Sequence, residues 1–251
     1  MPGWLEAGAW GLLGGAALVV GAAVAWFVTV PSKVVAAVMA FGAGVLISAL
    51  AFDLALEAAE TGGLAVTAVS FLAGALLYVA ANAVLARHGA RHRKRSGAQQ
   101  PSESEQGGSG AAIAVGALLD GVPESVVLGV GLLGGGGVST AVVAAVFISN
   151  VPEGLSSVAG MKRAGRSAGY VFGVWVGIAL VSALAAAVGY AALGGASPQV
   201  VAAITALAAG AILTMIADTM IPEAFERTQV YTGLIATLGF LVAFTISRLG
   251  A

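Results

Sequence analysis

Two short runs in a very apolar chain each pair a proline with an acid: Asp120-Gly121-Val122-Pro123-Glu124 and Ser149-Asn150-Val151-Pro152-Glu153. In a helix, residues three or four apart share a face. The first run therefore stacks two carboxylates, and the second sets a hydroxyl, an amide and a carboxylate together. Each proline lacks an amide hydrogen, which releases the carbonyl four residues earlier, that of Leu119 or Ile148. Two such helices laid face to face would converge oxygen atoms alone, and oxygen ligands suit a divalent cation. A charged side chain at bilayer mid-depth costs about 2.5 to 3.5 kcal/mol on insertion scales, so such acids protonate, pair or hold a cation. Asp53 and Asp218 also lie inside apolar segments, with Glu57, Glu60, Glu223 and Glu226 nearer segment ends, and no Lys, Arg or His accompanies the inner acids. A lone acid also reads as a protonated hydrogen-bonder, and an intrahelical proline as a kink. That reading weighs most on Asp53 and Asp218 and least on the duplicated Pro-Glu runs.

Other chemistries lack their parts. Cysteine is absent, which removes thiolate ligation, redox work and nucleophilic catalysis. An acid-dyad hydrolase within the membrane would need a nucleophile or activated water, and neither a Gly-x-Ser-x-Gly nor a His-Glu-x-x-His run occurs. The expectation is therefore a protein that is not an enzyme. Gly134 to Gly137 has no following Lys-Ser or Lys-Thr and reads as an outer turn rather than a phosphate cradle. His88 and His92 sit in a basic stretch that reads as solvated loop in preference to a metal sensor.

The elements that must hold these acids follow from composition. The chain of 251 residues is 59% hydrophobic and 9% charged, with a mean hydropathy of +0.99. Soluble domains carry about 25% charged residues, so this chain belongs in a lipid bilayer. The net charge of -1 gives no reason to expect a nucleic-acid partner. Barrel strands need short alternating segments, and the long Ala, Gly and Leu runs here do not alternate. With about 20 apolar residues per crossing, the pattern predicts an all-α polytopic membrane protein of eight transmembrane helices, near 8 to 30, 34 to 57, 64 to 86, 111 to 133, 138 to 160, 168 to 192, 200 to 222 and 230 to 249. Residues 1 to 86 hold spans 1 to 3, residues 87 to 110 form a flexible basic cytoplasmic loop, and residues 111 to 251 hold spans 4 to 8 in the same membrane domain.

The first positive charge is Lys33, so no cleavable signal peptide is expected. Ten of the 11 Lys and Arg residues follow spans 1, 3, 5 and 7, with Arg248 the exception. The positive-inside rule then places both termini outside a bacterial inner or plasma membrane. Residues 41 to 60 match residues 207 to 226 at six of twenty positions, among them Gly44 with Gly210, Glu57 with Glu223 and Glu60 with Glu226. This predicts an inverted repeat of spans 1 to 3 and 6 to 8 around spans 4 and 5, a common transporter design. Small residues such as Gly11, Gly14, Gly15, Gly173 and Gly177 predict close helix contacts and allow a homodimer without specifying its face.

Three runs, DGVPES at 120 to 125, SNVPEG at 149 to 154 and AAGAILTMIADTMIPEA at 208 to 224, resemble the ZIP (Zrt- and Irt-like) family of divalent-metal transporters over nearly all eight spans. The resemblance implies a metal site at the membrane midpoint between spans 4 and 5, with Glu124 and Glu153 on the motif carboxylates. It also implies uptake of zinc towards the cytoplasm. Where the family has His this chain has Asp120, where it has Asn this chain has Gly121, and span 5 carries Ser149 and Asn150. Span 6 contains no carboxylate. These changes favour one oxygen-lined site over a two-metal centre and admit Mn or Fe beside Zn. The expected ligands are Asp120, Glu124 and Glu153, supplemented by Ser149 and Asn150. Asp53 and Asp218 would line the approach and exit routes, and Glu57 and Glu223 would stand at the mouths. No cofactor is required; the metal ion is the cargo. The alternatives are the intramembrane acid-dyad hydrolase and a sensor or scaffold homologue that moves nothing.

Overall fold

The computed structural model describes residues 1–87, 109–133, 137–163 and 165–249. His88 and His92, most of the basic loop and Gly134 to Gly136 lie outside the described residues. The described chain is helical, without a strand. The helices are α1 (Gly3–Phe27), α2 (Ser32–Ala49), α3 (Leu56–Gly62), α4 (Leu64–Arg87), α5 (Ser109–Val130), α6 (Thr140–Arg163), α7 (Ala168–Leu193), α8 (Pro198–Met215), α9 (Ile221–Thr228) and α10 (Thr232–Leu249). A π-helical turn, Leu50–Ala55, joins α2 to α3, and a second, Ile216–Met220, joins α8 to α9. Six stretches among the described residues are long and apolar enough to cross a membrane, the last being Pro198–Leu249 at 52 residues.

Some helix ends fall elsewhere than the sequence-based limits. The second span was expected to stop near residue 57, but α3 continues through Gly62 and ends only at Gly63, whose φ of 81° breaks the ladder. The seventh span was expected to end near residue 222, but α9 continues through Thr228, and the corner falls at Gln229, with φ 45°. That is a costly backbone for a side chain with a Cβ. Threonine hydroxyls hold this corner: Thr228 and Thr232 lie 2.6 Å apart, and Thr232 donates to the Gln229 carbonyl at 2.7 Å. Two starts are fixed conventionally. Ser167 Oγ accepts from the Tyr170 amide at 3.3 Å, and Pro198 opens α8 without losing a needed donor.

Two groups of helices pack most extensively within themselves. In the first, α1 lies against α6 and α7, while α5 lies against α7 and α1. In the second, α2 pairs with α10 and α4 with α8. The second group is drawn together by backbone contacts that only glycine permits. A Cβ on Gly44 would collide with the Ala236 carbonyl, and one on Gly239 with that of Phe41, closing α2 on α10. Likewise a Cβ on Gly210 would collide with the Phe71 carbonyl, and one on Gly74 with that of Leu207, closing α8 on α4. Without a hydrophobic driving force between helices in lipid, close approach of this kind supplies much of the packing energy. The groups meet where α2 crosses α6 and where α5 touches α8 and α4. On the outer side of α4, Val69, Leu72 and Leu76 are more than half exposed, the face an apolar solvent would cover.

Candidate cation site

Both Pro-Glu runs lie well inside their helices, Pro123 within α5 and Pro152 within α6. Each proline interrupts the hydrogen-bond ladder in mid-helix. The carbonyl of Ile148, released by Pro152, faces α2: a Cβ on Gly42 would stand 3.5 Å from that oxygen and 3.2 Å from Ser149 Cα. Glycine at position 42 thus lets α2 approach the broken turn. Gly154, which ends the second run, is packed against α1, where a Cβ would strike the Leu18 carbonyl.

The polar side chains of these runs point into the protein. Asp120 is 1% exposed, Glu124 2% and Glu153 7%, and Ser149 and Asn150 are buried with them. Buried polar side chains among the described residues are carboxylates, hydroxyls and one amide, with no lysine or arginine. Glu124 of α5 and Ser149 of α6 are neighbours, with Oε1 and Oγ 3.5 Å apart. The serine hydroxyl also lies 3.0 Å from the Val146 carbonyl of its own helix. A hydroxyl has a single hydrogen, so the shorter back-bond holds it, and a small rotation presents it to Glu124.

Asn150 has a structural share in the site. Its Nδ2 donates to the Gly14 carbonyl of α1 at 3.0 Å. A carbonyl accepts only, so the amide nitrogen must face α1, and Oδ1 is the atom with which Asn150 can ligate. Asp120 is bound from the other helix group: Tyr78 of α4, itself buried, donates from its phenol to Asp120 Oδ1 at 2.6 Å. On the α7 side, Ser182 Oγ stands 3.7 Å from where a Cβ on Gly121 would be, and Ser125 Oγ donates to the Gly121 carbonyl at 2.7 Å. Neither Tyr78 nor Ser182 was singled out from the sequence. The signal for Tyr78 was present, since a phenol in an apolar span must find a partner.

Among the described residues no three His, Asp or Glu side chains come together as a group that could hold a metal ion. Asp120, Glu124 and Glu153 are therefore not assembled into one three-acid cluster; Asp120 is engaged with Tyr78, and Glu124 with Ser149.

The remaining acids separate. Asp53, in the π turn Leu50–Ala55, is half-buried, and its Oδ1 accepts from Ser139 Oγ at 3.2 Å and from Ser247 Oγ at 3.1 Å. Ser139 immediately precedes α6 and Ser247 belongs to α10, so one carboxylate ties both helix groups. Arg248, next along α10, lies over the rings of Phe52 and Phe244 at 5.8 and 5.4 Å. Asp218, in the π turn Ile216–Met220, is exposed. Glu57 is exposed and lines a cleft of about 270 Å³ with Thr61, Val127, Leu133, Pro198 and Thr205. Glu223 is half-buried on α9.

Comparison with protein-family models and with curated proteins gives no match to this chain.

Proposed function

We propose that the chain is a multi-pass carrier of a divalent cation, of the ZIP type, taking up zinc towards the cytoplasm with room for Mn or Fe. The observation that carries this reading is the burial of three carboxylates, a hydroxyl and an amide on two proline-broken helices, where Glu124 of α5 meets Ser149 of α6. Water is a poorer explanation of so many oxygens than an ion is, because carboxylates at depth need positive charge and neutral hydroxyls do not supply it. Coordination by Glu124 and Glu153, with Asp120, Ser149 Oγ and Asn150 Oδ1 close by, requires side-chain movement on ion arrival. A transported ion has to bind and leave, which suits a site that is not locked in advance.

The reading takes α1, α2 through α3, α4, α5, α6, α7, α8 through α9, and α10 as eight crossings. The sharp corner at Gln229 supports dividing the 52-residue stretch Pro198–Leu249 into two of them. Three features favour the inverted repeat. The two π turns fall at matching places, Leu50–Ala55 and Ile216–Met220. Gly44 faces α10 as Gly210 faces α4, and Phe41 receives Gly239 as Leu207 receives Gly74. The α2–α10 pairing mirrors the α8–α4 pairing. In this arrangement both termini are outside, and the cleft at Glu57 is the outer vestibule through which the ion reaches the site. Asp53 stands beside that approach and Asp218 and Glu223 beside the exit. The contacts divide the helices differently from a core of spans 4 and 5 alone, since α1 and α7 pack with α5 and α6. Motion of that four-helix group against α2, α4, α8 and α10 would expose the site to each side in turn.

Uptake into proteoliposomes tests the function. Zn, Mn, Fe and Cd are offered separately to vesicles holding the wild type, Glu153→Ala or no protein. Selective wild-type uptake that falls to the protein-free rate in Glu153→Ala is expected. Wild-type flux equal to that of empty vesicles for every ion would leave the sensor or scaffold reading in its place.

A further inference from the structure

The hydrogen bond between Tyr78 and Asp120 joins two helix groups at the depth of the site. Tyr78 lies on α4, which packs chiefly on α8, and Asp120 lies on α5, which packs chiefly on α7. The phenol oxygen and Asp120 Oδ1 are 2.6 Å apart, the length of a strong bond from a hydroxyl to an acid. Both residues are at most 2% exposed. Leu72, Leu76 and Val79 look outward, whereas the Tyr78 ring is packed in the main core with Leu128 and Met215. An apolar ring of the same shape would fill that space equally well, so packing alone does not account for the hydroxyl.

We propose that Tyr78 is a positioning residue for the cation site: its hydroxyl fixes the orientation of the Asp120 carboxylate from across the boundary between the two helix groups. This rests on the reading of Asp120 as an ion ligand. The consequence is that the site is not built by α5 and α6 alone. A carboxylate held from the opposite group presents its oxygens in one orientation only while the groups keep their present register. Sliding one group past the other breaks the bond and loosens a ligand, so ion affinity differs between the two registers. A ligand that binds both registers equally moves neither, and Tyr78 supplies the required difference.

The test uses the full chain in nanodiscs, with Zn and Mn binding measured at equilibrium and initial uptake measured in proteoliposomes. Tyr78→Phe keeps the ring and removes the hydroxyl. About tenfold weaker ion binding is expected, the value of a lost hydrogen bond to a charged group, appearing as a raised KM in uptake at an unfolding temperature close to the wild type's. In an Asp120→Ala background, which removes the acceptor altogether, the same substitution is expected to change binding less than about twofold, because a hydroxyl that acts through the carboxylate has nothing left to orient. Equal binding by wild type and Tyr78→Phe overturns the role of Tyr78 and leaves the carrier reading intact. An equal loss in both backgrounds assigns the hydroxyl to packing and also overturns it. A wild type that binds neither ion overturns the carrier reading, and this proposal with it.

Discussion

The two π-helical turns occupy matching places in the chain and do opposite things with their acids. Leu50–Ala55 presents Asp53 to two hydroxyls from different helix groups, at 3.2 and 3.1 Å, while Ile216–Met220 leaves Asp218 exposed. The helices that carry these turns are nonetheless packed alike, each through a glycine laid on a neighbour's carbonyl. A π turn widens the helix by one residue and re-aims the side chains around it. Backbone packing is thus common to both turns, and what differs is whether the far side supplies a partner. Ser139 and Ser247 do so at Asp53, and the present structure is fastened there.

That contrast can be broken most forcefully at the glycines. Gly44→Ala and Gly210→Ala each force a Cβ into a backbone carbonyl, Ala236 or Phe71. Each is expected to cost about 3 kcal/mol or more, at the upper end for overpacking a filled interface, since backbone cannot swing aside. Thermal unfolding in detergent should show losses of similar size for both. One tolerated and one ruinous would argue against equivalent packing.

The acids should then separate where the glycines do not. Asp53→Ala leaves two hydroxyls without their acceptor and is expected to lower stability by about 1 to 2 kcal/mol, whereas Asp218→Ala should stay within about 0.5 kcal/mol, as exposed substitutions do. Equal losses on denaturant titration would erase the distinction between the turns. Ser139→Ala is expected to cost less than Asp53→Ala, about 1 kcal/mol or less, and to cost less again once Asp53 is already alanine, when only its bond from the Val142 amide is left to lose. An undiminished effect in the double variant would mean that Ser139 acts through its place before α6 and not through Asp53.

Much of the helical layout was legible because an apolar chain in a bilayer has few choices, and runs of about 20 residues between turn signals mark the rods. Their ends were less legible. The second span was expected to close near residue 57, yet the helix holds until Gly63, because only the positive φ there stops it. The inward aim of Asp120, Glu124 and Glu153 followed from spacing and from the cost of leaving acids in lipid. What spacing does not encode is who stands opposite. Tyr78 is 42 residues from Asp120, and Gly14 is 136 from Asn150. Such partners depend on which helices become neighbours, which in lipid is decided by where glycines let backbones touch. The π turns were equally invisible, since Asp53 and Asp218 sit in sequence as though on ordinary helix.

The most direct test of the cation site is an anomalous difference map from crystals grown with Zn or Mn. A peak is expected between α5 and α6, about 2.0 to 2.5 Å from carboxylate oxygens of both Glu124 and Glu153. A peak confined to exposed acids such as Glu57 or Asp218, with those two glutamates untouched, would contradict it.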